Sequence, residues 1–169
     1  MRLLILKSIY ALISLVAIIF GVFFLVNYYA DPSGSLPSHE DLSRIEGKIA
    51  WVQNHRYGVR FGLLNDERKF NYPSKAREVG RVRSSLKSAS GKWMSIFVDL
   101  SKSNSPLNDD RVYFTVYEIR IDDSVVRSYA EVSEAWMSDQ RLVPYLGIFF
   151  ILGGSYIFWL LRKRKIPTT

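Results

Sequence analysis

Two stretches decide how this chain is built: Ser8–Ala30, SIYALISLVAIIFGVFFLVNYYA, and Leu142–Leu161, LVPYLGIFFILGGSYIFWLL. Neither contains Asp, Glu, Lys or Arg, and both consist mainly of Leu, Ile, Val, Phe and Ala. As helix, about 20 such residues extend about 30 Å, the thickness of a bilayer's hydrocarbon layer. Buried helices of soluble proteins rarely run this long without a charge. The first stretch is longer than a signal-peptide core, and Tyr28 stands where cleavage after Ala30 would want a small residue. Both stretches are therefore expected to be retained transmembrane helices.

Charge tells which side the intervening segment faces. The chain carries 23 Lys/Arg and 16 Asp/Glu, a formal +7. Arg2, Lys7, Arg162, Lys163, Arg164 and Lys165 flank the two runs from outside, while every carboxylate lies between them. The segment 31–141 is then close to neutral, with 17 basic residues left against the 16 acidic ones. Short basic flanks stay cytoplasmic during insertion. The expected topology is a multi-pass protein of a bacterial inner or plasma membrane, with cytoplasmic termini and an extracytoplasmic, periplasmic domain. Tyr28, Tyr29 and Trp159 fit interfacial anchors. With no cysteine in the chain, neither a disulfide framework nor thiolate chemistry is available.

The expected organisation is a cytoplasmic tip and first span (1–30), a linker (31–41), a β-rich domain (42–141), the second span (142–161) and a basic tail (162–169). The linker, DPSGSLPSHED, is rich in Pro, Ser and Gly. Alternation then predicts one strand through Ile45, Gly47, Ile49 and Trp51, and a second through Tyr57, Val59, Phe61 and Leu63. Asn54-His55-Arg56 is read as the loop between them. A short strand over Arg68–Tyr72 closes at Pro73. Helical spacing places Val79, Val82 and Leu86 on one face of a helix that Ser74 caps and Ser88–Gly91 ends. Strands at Trp93–Leu100, Val112–Ile121 and Ser124–Tyr129 follow, with a polar loop over Ser101–Asp110. A parity change near Val116 and Tyr117 suggests a β-bulge. Ser128-Tyr129-Ala130-Glu131 is a capping-box pattern opening a helix that leads into the second span, where Pro144 either kinks the junction or opens the span. Three strands, a helix, then further strands is the order of a five-stranded OB-type barrel. The fold class is thus α+β: a small, mostly antiparallel β-barrel or OB-like domain with one helix, held between two transmembrane helices. A helix over an open antiparallel sheet has the same element order.

The strand Glu46-Gly47-Lys48-Ile49, the strand Ser95-Ile96-Phe97-Val98-Asp99 with Ser105-Pro106 after it, and a terminal span ending in basic residues form a recognisable layout. It resembles small bacterial two-span membrane proteins with an extracytoplasmic β-domain of unknown function. That resemblance implies topology and no activity.

Residues for chemistry are sparse. The two histidines, His39 and His55, lack metal-site spacing, and no catalytic, metal or cofactor site is expected. Asp109-Asp110 and Asp122-Asp123 are ordinary turn sequences before they are cation ligands. Charge is unevenly divided, however: 42–92 carries a surplus of basic residues and 93–141 a surplus of acidic ones. The two halves either pair with each other or leave a basic face exposed. Tyr57, Arg60, Phe61, Lys69, Phe70, Tyr72, Arg77 and Arg81 are the candidate binding residues, on what an OB-type barrel uses as its ligand face. Tyr57 and Phe61 have equally the spacing of core residues. An extracytoplasmic location removes nucleic acid as a target, leaving a protein or an anionic envelope component. The expected function is a non-enzymatic, membrane-anchored interaction module. Protection against an envelope-acting toxin, or a structural place in a membrane complex, are the other readings. Small residues at Ser14, Ala17 and Gly21, and at Gly147 and Gly154, allow close helix approach within the hairpin or between copies.

Overall fold

The computed structural model describes residues 2–104, 111–122 and 124–163. The chain divides into two compact units, Met1–Ser35 with Met137–Thr169, and Leu36–Trp136.

In the first unit, α1 (Arg2–Ala30) packs against α4 (Val143–Lys163). Small residues let the two backbones meet. A Cβ on Gly21 would lie 2.6 Å from the Gly147 carbonyl oxygen, and one on Gly154 would lie 2.8 Å from that of Ser14. The Ser14 hydroxyl donates to the Gly154 carbonyl at 2.8 Å. The small-residue stripes thus face each other within one chain. Apolar side chains point the other way: Leu12, Phe149 and Leu152 are all more than 60% exposed. Pro144 stands in the first turn of α4, where its missing N–H costs no helical bond.

The second unit is α+β. Its six strands are β1 (Ser43–His55), β2 (Gly58–Leu63), β3 (Lys69–Pro73), β4 (Trp93–Asn104), β5 (Tyr113–Ile121) and β6 (Ser124–Arg127). They form one sheet in the order β3-β2-β1-β4-β5-β6, antiparallel throughout except for a parallel β3–β5 pairing. Helix α2 (Val79–Ser88) lies between β3 and β4 in sequence, and α3 (Tyr129–Gln140) follows β6. The core gathers Ile49, Val59, Phe61, Phe70, Tyr72, Met94, Ile96, Val98, Ile119, Val82 and Leu86 from strands and helix alike.

Several local expectations shift. The β1–β2 hairpin turns at Arg56–Tyr57, with His55 opposite Gly58, so Tyr57 is a turn residue rather than a strand residue. Gly58 fixes this geometry: its φ is +151°, and a Cβ there would lie 2.1 Å from the Tyr72 carbonyl oxygen. The helix begins later than Ser74. A 3-10 turn at Ser74–Ala76 comes first, and Arg77 and Glu78 adopt left-handed φ of +59° and +49°. The Tyr72 hydroxyl and Arg127 bind the Ala76 carbonyl that a continuous helix would use itself. β4 runs on to Asn104, beyond Leu100, and β6 ends at Arg127. Residues 105–110, including Ser105-Pro106 and Asp109-Asp110, together with Asp123 and Arg164–Lys165, lie outside the described residues.

The bulge in β5 is where the parity change put it. Phe97 pairs with Glu118 but Val98 with Val116, leaving Tyr117 as the extra residue. The capping box forms as well. Glu131 accepts the Ser128 backbone N–H at 2.9 Å, and the Ser128 hydroxyl accepts the Glu131 N–H at 3.3 Å. The β-unit also claims the second half of the expected linker. Tyr129 donates its hydroxyl to the Pro37 carbonyl at 2.6 Å, and His39 packs on Phe97 and Tyr129.

Candidate interaction face

A second irregularity, in β1, decides which side chains reach the surface. Between Ile49, which pairs with Leu63, and Trp51, which pairs with Gly62, the register slips at Ala50. Before the slip the odd residues Ile45, Gly47 and Ile49 face inward; after it Val52 does. Trp51, which alternation had placed with the inward set, lies instead on the outer face. Its indole covers Gly62, where a Cβ would lie 2.3 Å from Nε1, and the residue remains 37% exposed.

Strand alternation sorts the candidate residues into opposite faces. Phe61, Phe70 and Tyr72 point inward and are fully buried, with the Phe61 and Phe70 rings 5.7 Å apart. Arg60, Lys69 and Asn71 point outward from the same two strands. Cations and aromatics that interleave in sequence are therefore separated by the sheet. The outer face draws its rings from elsewhere, chiefly Trp51 on β1 and Tyr113 on β5. The Arg60 guanidinium lies 4.2 Å from the Tyr113 ring centroid, and both residues are buried. Parallel pairing brings Lys69 beside Tyr113 and Asn71 beside Thr115. At the hairpin tip Tyr57 is 61% exposed, with Arg56 over its ring and His55 at 5.6 Å. His55 Nδ1 accepts the Tyr57 N–H at 3.3 Å, an ordinary turn bond.

Arg77 and Arg81 belong to a different constellation, at α2 and α3. Arg127, buried on β6, donates to the Tyr72 hydroxyl at 3.2 Å, to the Ala76 carbonyl at 3.0 Å and to the Glu131 carbonyl at 3.1 Å. Its guanidinium also pairs with the Glu131 carboxylate at 3.1 Å, and Arg81 approaches the same carboxylate at 3.8 Å. The capping bonds from Ser128, with Arg127 and Arg81 beyond them, hold the Glu131 carboxyl below the usual range. Burial pushes the Tyr72 phenol up, against the opposing pull of Arg127. Arg77 contributes its backbone carbonyl, which accepts from Tyr72 at 2.9 Å. This node ties part of the basic half to part of the acidic half.

Two buried carboxylates were not foreseen as structural elements. Glu118 accepts from Arg120 at 2.7 Å and from the Tyr129 N–H at 3.0 Å, with His39 Nε2 at 3.7 Å. Asp99 accepts both the N–H and the hydroxyl of Ser101. Burial, with Asp99 and Tyr129 adding to it, pushes the Tyr117 phenol up to about 12. The bulge at Tyr117 was the available sequence signal, since it places consecutive residues Val116–Ile119 out of solvent. Among the described residues no group of three or more His, Asp or Glu is arranged to hold a metal ion.

Compared with known proteins, the chain matches no family model, no curated protein and no solved structure.

Proposed function

We propose that the chain is a membrane-anchored binding module whose β-domain stands on the extracytoplasmic side and engages a protein or anionic envelope component without catalysing a reaction. Two helices long and apolar enough to cross a membrane, Ile5–Ala30 and Tyr129–Lys163, support the anchoring; α3 and α4 separate within the second at Arg141–Leu142. Their apolar side chains point away from the helix pair, as lipid-facing residues do. The basic flanks support cytoplasmic termini.

The domain reads as an OB-like barrel. Hydrogen-bonded neighbours run β1–β2–β3–β5–β4 and back to β1, with α2 in the connection between β3 and β4. In such a barrel the outer face of β2 and β3 receives ligands. Here that face holds Trp51, Arg60, Lys69, Asn71 and Tyr113, with Tyr57 at the hairpin tip. Its accessible members, Trp51 and Tyr57 with the half-buried Lys69 and Asn71, carry the proposal, and the buried Arg60–Tyr113 stack lies beside them. A binding role is favoured over catalysis because Glu118, Asp99 and Glu131 are each committed to structural hydrogen bonds.

The test is site-specific photo-crosslinking in intact cells, with the probe at Lys69 and a control probe at Val125 on β6. A discrete adduct at Lys69 that Trp51→Ala abolishes, with none at Val125, supports the face as the contact surface. Equal adducts at both positions, or an adduct indifferent to Trp51, contradict it.

A further inference from the structure

β1 has an open edge, and the direction of its backbone groups can be worked out. In an antiparallel ladder each residue turns its N–H and C=O to one side, and the side alternates. The Trp93 carbonyl accepts the Asp122 N–H at 2.9 Å, so Trp93, Ser95 and Phe97 bond toward β5. Met94, Ile96 and Val98 must then bond toward β1, where their partners are Gly47, Ile45 and Ser43. That leaves Arg44, Glu46 and Lys48 bonding to the opposite side. The Lys48 carbonyl does so, accepting the Leu64 N–H at 2.8 Å.

Beyond that bond β2 is gone, because its pairing with β1 begins only at Ile49. Between Ser43–Lys48 and Leu64–Arg68 lies an open groove of about 840 Å³. The N–H and C=O groups of Arg44 and Glu46 open into it. Such an edge is a template for another strand.

The side chains specify which strand fits. Arg44 and Glu46 lie on one face, ion-paired with each other and more than half exposed. An antiparallel copy of this segment, related by a two-fold axis at Ile45, sets Arg44 opposite Glu46 of the copy, and Glu46 opposite its Arg44. Each of these is a hydrogen-bonded pair exchanging two backbone bonds. Four charges then alternate in sign around the axis, the favourable cross-strand arrangement. Ile45 keeps facing its own core. The self-complementary Arg-Ile-Glu sequence meets the isologous requirement of a two-fold interface.

We propose that a second copy of this chain docks on the open edge of β1, joining two β-domains through antiparallel Ser43–Gly47 strands. This interface is separate from the basic–aromatic face and from the small-residue stripes, which are occupied within the helix pair.

The chain has no cysteine, so introduced thiols report without background. Full-length Arg44→Cys and Glu46→Cys chains, differently tagged and co-expressed, are purified in mild detergent and oxidised. Opposed hydrogen-bonded residues stand about 5.5 Å apart at Cα, within disulfide range, whereas 44 to 44 or 46 to 46 exceeds about 7 Å. The expected product is a mixed disulfide dimer that neither variant forms alone. Analytical ultracentrifugation should show Arg44→Glu raising the dimer dissociation constant by roughly tenfold or more, through like charges opposed across the axis. The double variant Arg44→Glu/Glu46→Arg should restore it. A monomeric wild-type protein overturns the proposal and leaves the edge to a different polypeptide. Equal crosslinking by the single variants, or a folded Arg44→Glu protein that still dimerises fully, overturns it as well.

Discussion

The helix pair and the β-domain are built on opposite plans. Among the described side chains of α1 and α4 the buried ones are Ser14, Gly21, Gly147 and Gly154, while Leu, Ile and Phe cover the outside. In the β-domain Phe61, Phe70, Val59 and Ile96 are fully buried and most of the lysines and arginines are outside. On the proposed membrane topology, the difference follows from what each is dissolved in. In water the large apolar side chains drive collapse. In lipid that drive is absent, and close backbone contact between small residues holds helices together. One chain therefore needs two sets of rules for reading its interior.

That contrast can be broken in graded ways. The largest effect is expected from Phe70→Ala, which should cost the β-domain about 3–5 kcal/mol by urea denaturation. Phe149→Ala, removing a ring that is 69% exposed, should leave that transition unmoved. An equal loss from both would mean that the helix pair shares a water-excluding core with the domain. Gly154→Leu should then destabilise the helix pair in detergent by about 1–3 kcal/mol, because its Cβ meets the Ser14 carbonyl and Ile18. The same Gly→Leu change at Gly153, which has open space around it, should do little. Equal effects at the two glycines would contradict the packing described.

Smaller effects come from the polar ties of the domain. Ser128→Ala removes half the capping box and should cost about 1 kcal/mol. Glu131 has a folded pKa below its ordinary value, so its contribution is present above the unfolded pKa and lost as pH falls through the folded one. Glu131→Gln should flatten that acid limb of stability. Tyr117 works in the opposite direction. Its folded pKa of about 12 exceeds the ordinary 10.0, so its contribution holds below 10 and is lost as pH rises toward 12. Tyr117→Phe should reduce that alkaline loss, seen as a shallower fall over the same interval, with the remainder left to Tyr72 and Tyr129, whose phenols burial also raises.

The two long apolar helices, the succession of strands and helix along the chain, the face of α2, the bulge at Tyr117 and the capping box at Ser128 were all legible, because each is written in local periodicity or a short motif. The surface was harder to read. Arg60, Phe61, Lys69, Phe70 and Tyr72 are neighbours in sequence, and only pairing between strands shows that the rings turn inward and the cations outward. A one-residue slip at Ala50 moved Trp51 to the outer face, and nothing in its spacing announces that slip. Arg60 stacks on Tyr113, more than 50 positions later in the chain. The late start of α2 likewise depends on Arg127 reaching back to the Ala76 carbonyl. Long-range contacts of this kind have no local signature.

The proposed topology puts the β-domain outside the cytoplasm and the two long helices across the membrane. Ser103, exposed near the end of β4, is the place to test it, since Ser103→Cys gives the chain a single thiol. With an impermeant maleimide applied to intact cells, the protein should label as fully as it does after lysis. Protection until the cells are opened would contradict the account.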